Sequence, residues 1–301
     1  MCHRLSWILL NVSPQIIHYW GYSSEEYEVL TDDGYYLKLN RIISGRPFAH
    51  LTVVLLVHGL LFEGRCWIAN LPSNSLGFFL SDAGYDVWII NIRGTTWSRR
   101  HQKFSIDQQE FWEFSFHEMA IYDIPATIAF ILQKTKQNRL YYFGHGQGGT
   151  LGKLKMDICI LLIWGKKEYY LLSNKLKAFL AYGCSHAMFD KLCLQGIFLM
   201  GGYNAKNLNT VSTVSSTFIV ISIEETTPPF YKIEDVIIPV AVWSGGRDIV
   251  ATKKDVELLT SRITHLVFYK NIPDWQHMDP ILGLDIPQEL YNDIRKLMQK
   301  H

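Results

Sequence analysis

A chain of 301 residues with 48% hydrophobic and 14% aromatic content can bury a full-sized core, as one large domain or a domain with a lid. Its formal charge of +1 comes from interspersed acids and bases without long like-sign runs, so no field is present to attract nucleic acid or an acidic partner. The longest apolar runs, such as Ile158 to Trp164, are far below the ~20 residues of a transmembrane helix, and five cysteines without C-x-x-C spacing point to neither a disulfide scaffold nor a thiolate metal site.

Met1 to Leu10 has one basic residue, Arg4, and an apolar run broken at Ser6, with no small-residue cleavage site. It is deficient as a secretory leader. Tyr27 to Leu39 alternates on both sides of Asp33-Gly34, the pattern of an antiparallel hairpin. Thr52 to Val57 is a continuous β-branched and leucine run, as expected of a strand covered on both faces, and it stops at His58-Gly59. Leu76 to Ala83 reads as a helix closed by Gly84, Asp86 to Ile90 as a second buried strand, and Phe111 to Gln133 as a helical stretch interrupted near Pro125. Strand, helix, strand in this order implies a parallel, doubly wound sheet with its ligand site at the carboxyl ends of the strands.

Leu140 to Thr150, LYYFGHGQGGT, supplies the next strand and a glycine-dense turn. It has the form of a nucleophile elbow, G-x-S-x-G, in which a sharp strand-to-helix turn lifts the central side chain above the sheet. The central position is Gly146, so the turn is present and the nucleophile is not. Beyond it, Lys153 to Asn209 mixes lysines, aromatics and short apolar runs and reads as a mostly helical insertion, with no strand before Ile197 to Met200. Val236 to Trp243 is predicted as a buried strand, Lys254 to Ser261 as a helix, Thr264 to Lys270 as a strand and Gln288 to Gln299 as a terminal amphipathic helix. Cys66 and Cys159 are expected to be buried apolar residues.

Three loops at predicted strand ends carry chemistry: His58-Gly59-Leu60-Leu61, Ser244 to Asp248, and Asp274 to Asp279 around His277. Elbow, acid, histidine is the chain order of an α/β-hydrolase triad, in which histidine takes the nucleophile's proton and the acid fixes its tautomer. Backbone N–H groups of Leu60 and Gln147 suit an oxyanion hole. Singly, Asp248 after two glycines reads as a turn residue and His277 beside a tryptophan as a satisfied histidine. Together, in order and at strand ends, they read as one inherited site.

The stretches HYWGYSSEEYEVLTDDGYYLKLNRI from His18, VLLVHGLL from Val54, DAGYDVWIINIRGTTWSRRH from Asp82, EFWEFSFHEMAIYDIPATIAFI from Glu110 and IPVAVWSGGRDIVA through QHMDP resemble the acid lipases, the gastric and lysosomal group. The resemblance implies an α/β-hydrolase fold: a mostly parallel doubly wound sheet, an N-terminal antiparallel hairpin and a helical cap that is truncated here. It divides the chain into core (12–152), shortened cap (153–227) and core (228–301). It implies hydrolysis of neutral-lipid esters such as triacylglycerols and cholesteryl esters, without cofactor or metal, at a lipid-droplet or micelle surface, in a secreted or lysosomal protein. Residue by residue it places the charge-relay acid at Asp248, the histidine at His277, the oxyanion donors at Leu60 and Gln147 and the nucleophile at Gly146. It also implies a disulfide between Cys184 and Cys193. Relative to the family, the segment between Gly152 and about Leu161 lacks the strand after the elbow helix and the start of the cap. A second gap falls near Thr210 to Thr226. A lost central strand would leave ladder groups unpaired.

Two readings compete with an impaired hydrolase. A lipid-binding or regulatory protein without turnover would keep the acyl pocket. Gly144-x-Gly146-x-x-Gly149 also satisfies a dinucleotide fingerprint, but two βα units precede it and no acid is clearly placed at the ribose position.

Overall fold

The computed structural model describes residues 13–43, 52–60, 62–152, 158–163 (backbone alone), 207 and 233–300. After helix α1 (Ser13–Tyr19), β1 (Ser23–Leu30) and β2 (Tyr35–Ile43) form the predicted hairpin, with Tyr27 opposite Leu39 and Leu30 opposite Tyr36. Its turn is closed by the Tyr35 N–H donating to Thr31 Oγ1 at 2.9 Å and by Gly34 at φ +100°, a conformation that glycine adopts without a Cβ penalty.

The core strands follow: β3 (Val53–Val57), β4 (Asp86–Asn91) after helix α2 (Leu76–Asp82), the two-residue β5 (Arg100–His101), and β6 (Tyr141–Gly146) after helix α3 (Ile124–Thr135). Helix α4 (Gln147–Leu151) leaves β6 directly. Strand β7 (Ile158–Ile163), β8 (Val240–Gly245), helix α5 (Lys253–Arg262), β9 (Leu266–Ile272) and helix α6 (Asn292–Lys300) follow, with shorter helical turns between them. One sheet takes the order β1-β2-β4-β3-β6-β7-β8-β9, with β5 paired to β2. It is antiparallel from β1 through β4 and parallel from there on.

Alternation along the central strands separates two cores, because successive side chains leave a strand on opposite faces. Val54 and Leu56 of β3 and Tyr141 and Phe143 of β6 join α1, α2 and α6 on one face. Val53, Leu55 and Val57, with Leu140 and Tyr142, meet α3 on the other. This double covering is why β3 reads as an uninterrupted apolar run.

Four expectations are corrected. The reading of 153–209 as having no strand before Ile197 is wrong: Ile158–Ile163 pairs parallel with β6 on one side and β8 on the other, Phe143 standing opposite Ile160 and Leu161 opposite Val242. The slot beside the elbow strand is therefore filled, and its ladder groups are paired. The stretch from Phe111 does not begin as a helix; residues 109–112 form a 3-10 turn, and the helix starts only after Ser115, whose side chain and that of Glu118 close a capping box. Residues 119–123 widen into a π-turn, with the Ile124 N–H reaching Met119 O, just before Pro125, which has no N–H to give. Strand β8 begins at Val240 rather than Val236, since Pro239 cannot donate to the ladder and restricts the residue before it. At the C-terminus, 287–291 is a π-turn ahead of α6, which starts at Asn292 rather than Gln288.

Cys66 is buried and free, as expected. The Cys159 side chain, Cys184, Cys193, the second gap near Thr210 and the rest of the cap lie outside the described residues. No helix among the described residues is long and apolar enough to cross a membrane.

Candidate active site

The elbow is the junction of β6 and α4. Gly146 stands there at φ +54° and ψ −119°, a combination essentially restricted to glycine unless the surroundings enforce it. The flanking glycines are required by packing. A Cβ on Gly144 would lie 2.4 Å from Gly148 O, and one on Gly148 would lie 2.4 Å from Val57 O and 2.6 Å from His58 O. A Cβ on Gly59 would come to 3.0 Å from His145 O. The elbow and the loop after β3 thus meet backbone to backbone, at Val57, His58 and Gly59. Gln147 opens α4, where helical geometry leaves an N–H without an intrahelical acceptor.

His58 is a strut in this contact. Its Nδ1 donates to Gly59 O at 2.9 Å, and its Nε2 accepts from the Ile92 N–H at 3.1 Å, so both partners dictate one neutral tautomer and tie the β3 loop to the β4 loop. Burial lowers its pKa to about 4.

The acid and the histidine arrive from β8 and β9. Gly245 and Gly246 make this approach possible, since a Cβ would lie 2.3 Å from Trp275 O at the first and 2.5 Å from Pro273 O at the second. The Gly246 N–H donates to Ile272 O at 2.8 Å and the Arg247 N–H to Trp275 O at 2.9 Å, fastening one loop along the other. The Asp248 carboxylate is then fixed on both oxygens. Oδ1 accepts from the N–H groups of Val250 and Ala251, each at 2.8 Å, and Oδ2 accepts from His277 Nδ1 at 2.9 Å. Both side chains are almost fully buried, at 5% and 6% exposure.

His145, the residue before Gly146, connects the two halves. Its Nε2 donates to His277 O at 2.8 Å, and the two rings lie 4.8 Å apart between centroids. Its buried Nδ1 finds no hydrogen-bond partner among the described residues. Burial, with the His277 ring beside it, lowers the His145 pKa to about 3, so this imidazole is neutral. Asp248 and His277 are therefore brought together, and His277 is held against the elbow residue that precedes Gly146.

Sequence reasoning missed two participants. His145 reads as a filler position of the elbow. Asn207 carries no signal, because it stands alone in a stretch without periodicity. Its Nδ2 donates to Asp279 and Asp285, and its Oδ1 accepts from the N–H groups of Leu284 and Asp285 at 3.0 and 3.2 Å. Asp279 in turn accepts from the Gln276 N–H at 2.7 Å, and Asp285 from Trp275 Nε1 at 3.0 Å, so one buried amide braces the loop that carries His277.

Residues 13–71 match the family described as a partial alpha/beta-hydrolase lipase region, and residues 52–153 match the alpha/beta hydrolase fold. The chain is 39% identical to mouse lipase member M over 97% of its length and 86% of that protein. It is 39% identical to human lysosomal acid lipase/cholesteryl ester hydrolase, covering 97% and 91% of the two chains. The chain belongs to the acid lipase family. Human gastric triacylglycerol lipase, at 37% identity over 97% of this chain and 92% of that one, falls in the same group. The match to the mouse lipase extends over 364 residues whereas this acid-lipase chain has 301, so its relatives carry segments with no counterpart in it. Solved structures of a Pyrococcus furiosus esterase (TM-score 0.58, 15% identity, 96% and 94% of the two chains) and of carboxylesterase CesB from Bacillus subtilis (TM-score 0.60, 14% identity, 98% and 96%) share its α/β-hydrolase fold.

Proposed function

We propose that this chain retains the site of a carboxylic-ester hydrolase for neutral lipids from which the nucleophile has been lost. Gly146 occupies the nucleophile position, His277 is the charge-relay base, Asp248 is its acid, and the backbone N–H groups of Leu60 and Gln147 are the oxyanion donors. The observation that carries this reading is the buried Asp248–His277 pair set against an elbow whose turning residue keeps the strained conformation while offering no hydroxyl. The names of the human relatives, one a cholesteryl ester hydrolase and one a triacylglycerol lipase, support neutral-lipid esters as the ancestral substrates and a secreted or lysosomal site of action.

Removing the nucleophile of a serine triad costs on the order of a millionfold in turnover, because the acyl-enzyme route is closed. The purified protein is expected to resist labelling by a fluorophosphonate and to hydrolyse a short-chain ester orders of magnitude more slowly than a lipase. Gly146→Ser restores covalent labelling and part of the turnover. Labelling of the unmodified chain, or turnover at an ordinary lipase rate, would sink the reading.

A further inference from the structure

We propose that this chain hydrolyses activated carboxylic esters slowly by direct attack of water, with His277 as the general base and no acyl-enzyme. This rests on the assignment of Gly146, Asp248 and His277 made above, and it concerns what the remaining groups do once the hydroxyl is gone.

With no hydroxyl at Gly146, the acid–histidine pair is still assembled. Asp248 is still oriented by two backbone N–H groups at 2.8 Å and still accepts from His277 Nδ1 at 2.9 Å. A proton held on Nδ1 by a carboxylate makes Nε2 the basic nitrogen of the imidazole. His277 is kept at the elbow through its own carbonyl, which accepts from His145 Nε2 at 2.8 Å. The oxyanion donors are backbone N–H groups, so a change of side chain at Gly146 removes neither of them. Gly146 also retains the backbone angles of the elbow, and with only hydrogen there, no side chain fills the place that the turn gives to a nucleophile oxygen, which the proposal assigns to water. His145 is no substitute nucleophile, since it is fully buried and its Nε2 proton is committed to the His277 carbonyl.

The step balances without a cofactor. His277 Nε2 takes a proton from water as the water oxygen bonds to the carbonyl carbon, and the resulting oxyanion rests on the Leu60 and Gln147 N–H groups. The ester C–O bond then breaks, and the imidazolium proton goes to the departing oxygen. Ester and water become acid and alcohol in a single displacement. Esters with a good leaving group are favoured, because their departure demands little from that proton.

The test uses the full-length chain and 4-nitrophenyl butyrate. The expected result is steady release without a burst, no acyl adduct in the intact mass, and a rate about a hundredfold above that of His277→Ala, as general-base catalysis supplies. Should His277→Ala not fold, His277→Gln serves in the same comparison. A rate equal to that of the histidine variant overturns the proposal, and so does an acyl adduct on the unmodified chain. Gly146→Ser separates the two levels of the argument. If that variant forms an acyl adduct while the unmodified chain does no better than His277→Ala, water attack fails and the site assignment stands. If Gly146→Ser folds and forms no adduct, the assignment of the nucleophile position fails, and the water mechanism with it.

Discussion

Glycine does two different things within five residues of the elbow. At Gly144 and Gly148 it answers a collision: the atoms that an added Cβ would meet are the backbone of Gly148 and of Val57 and His58, which no rotamer change can move aside. Gly148→Ala is therefore expected to cost about 3 kcal/mol, the upper range for overpacking, read from the urea midpoint. An unchanged midpoint would show that the contact between the elbow and the β3 loop is looser than described. At Gly146 glycine answers a backbone angle. A residue with a side chain at φ +54° and ψ −119° stores about 1–3 kcal/mol of strain, which a serine elbow tolerates for its chemistry. Gly146→Ser is thus expected to gain covalent reactivity and lose thermal stability in the same molecule. A melting temperature equal to or above that of the unmodified chain would contradict this.

Buried polar knots join elements that the sheet alone would not hold in place. Arg93, fully buried after β4, donates to Asp123 ahead of α3 and to Asp33 in the first hairpin, with the Tyr35 ring 4.1 Å below its guanidinium. Removing one partner leaves an uncompensated charge in the core, so Arg93→Ala should cost about 3–5 kcal/mol in chemical denaturation. A loss below about 1 kcal/mol would mean that water replaces the arginine. Asn207 does for the histidine loop what Arg93 does for the hairpin. Asn207→Ala strips two donors from Asp279 and Asp285 and one acceptor from their loop, and about 2–4 kcal/mol is expected from groups left unsatisfied. Amide exchange of residues 276–285 should quicken in that variant more than exchange in β3 or β4, and a uniform change would remove the bracing role.

Acid acts on the whole molecule through groups that burial keeps neutral. His58 and His145 have folded pKa values of about 4 and about 3, below the value of about 6.5 for an unperturbed histidine. Below that value the unfolded chain takes up protons that the folded chain refuses, so stability falls as pH falls, by about 1.4 kcal/mol per unit for each ring. Asp123 works the other way, since burial pushes it up to about 6 against the pull of Arg93, and the folded state accepts a proton there first. Each ring loses about 1.6 kcal/mol between pH 6.5 and 5 and the carboxyl gains about 1.2, which leaves a net loss of about 2 kcal/mol. Urea midpoints measured across that interval should decline, and a flat or rising profile would show that the two rings are not excluded from protonation.

Much of this protein is legible one residue at a time. The Asp33-Gly34 hairpin, the doubly covered β3 and β4, the elbow with its absent hydroxyl, and the order of elbow, acid and histidine all follow from local pattern, because turn chemistry and side-chain alternation are properties of neighbouring residues. Strand β7 is different. A six-residue apolar run suits a buried helix or a strand equally, and it becomes a strand because β6 and β8 each offer it an open parallel edge. The bracing by Asn207, the neutral state of His145 and the sharing of Arg93 between two carboxylates are likewise beyond local reading. Each depends on groups far apart in sequence being buried together, where an unpaired charge or hydrogen-bonding atom costs too much to leave alone.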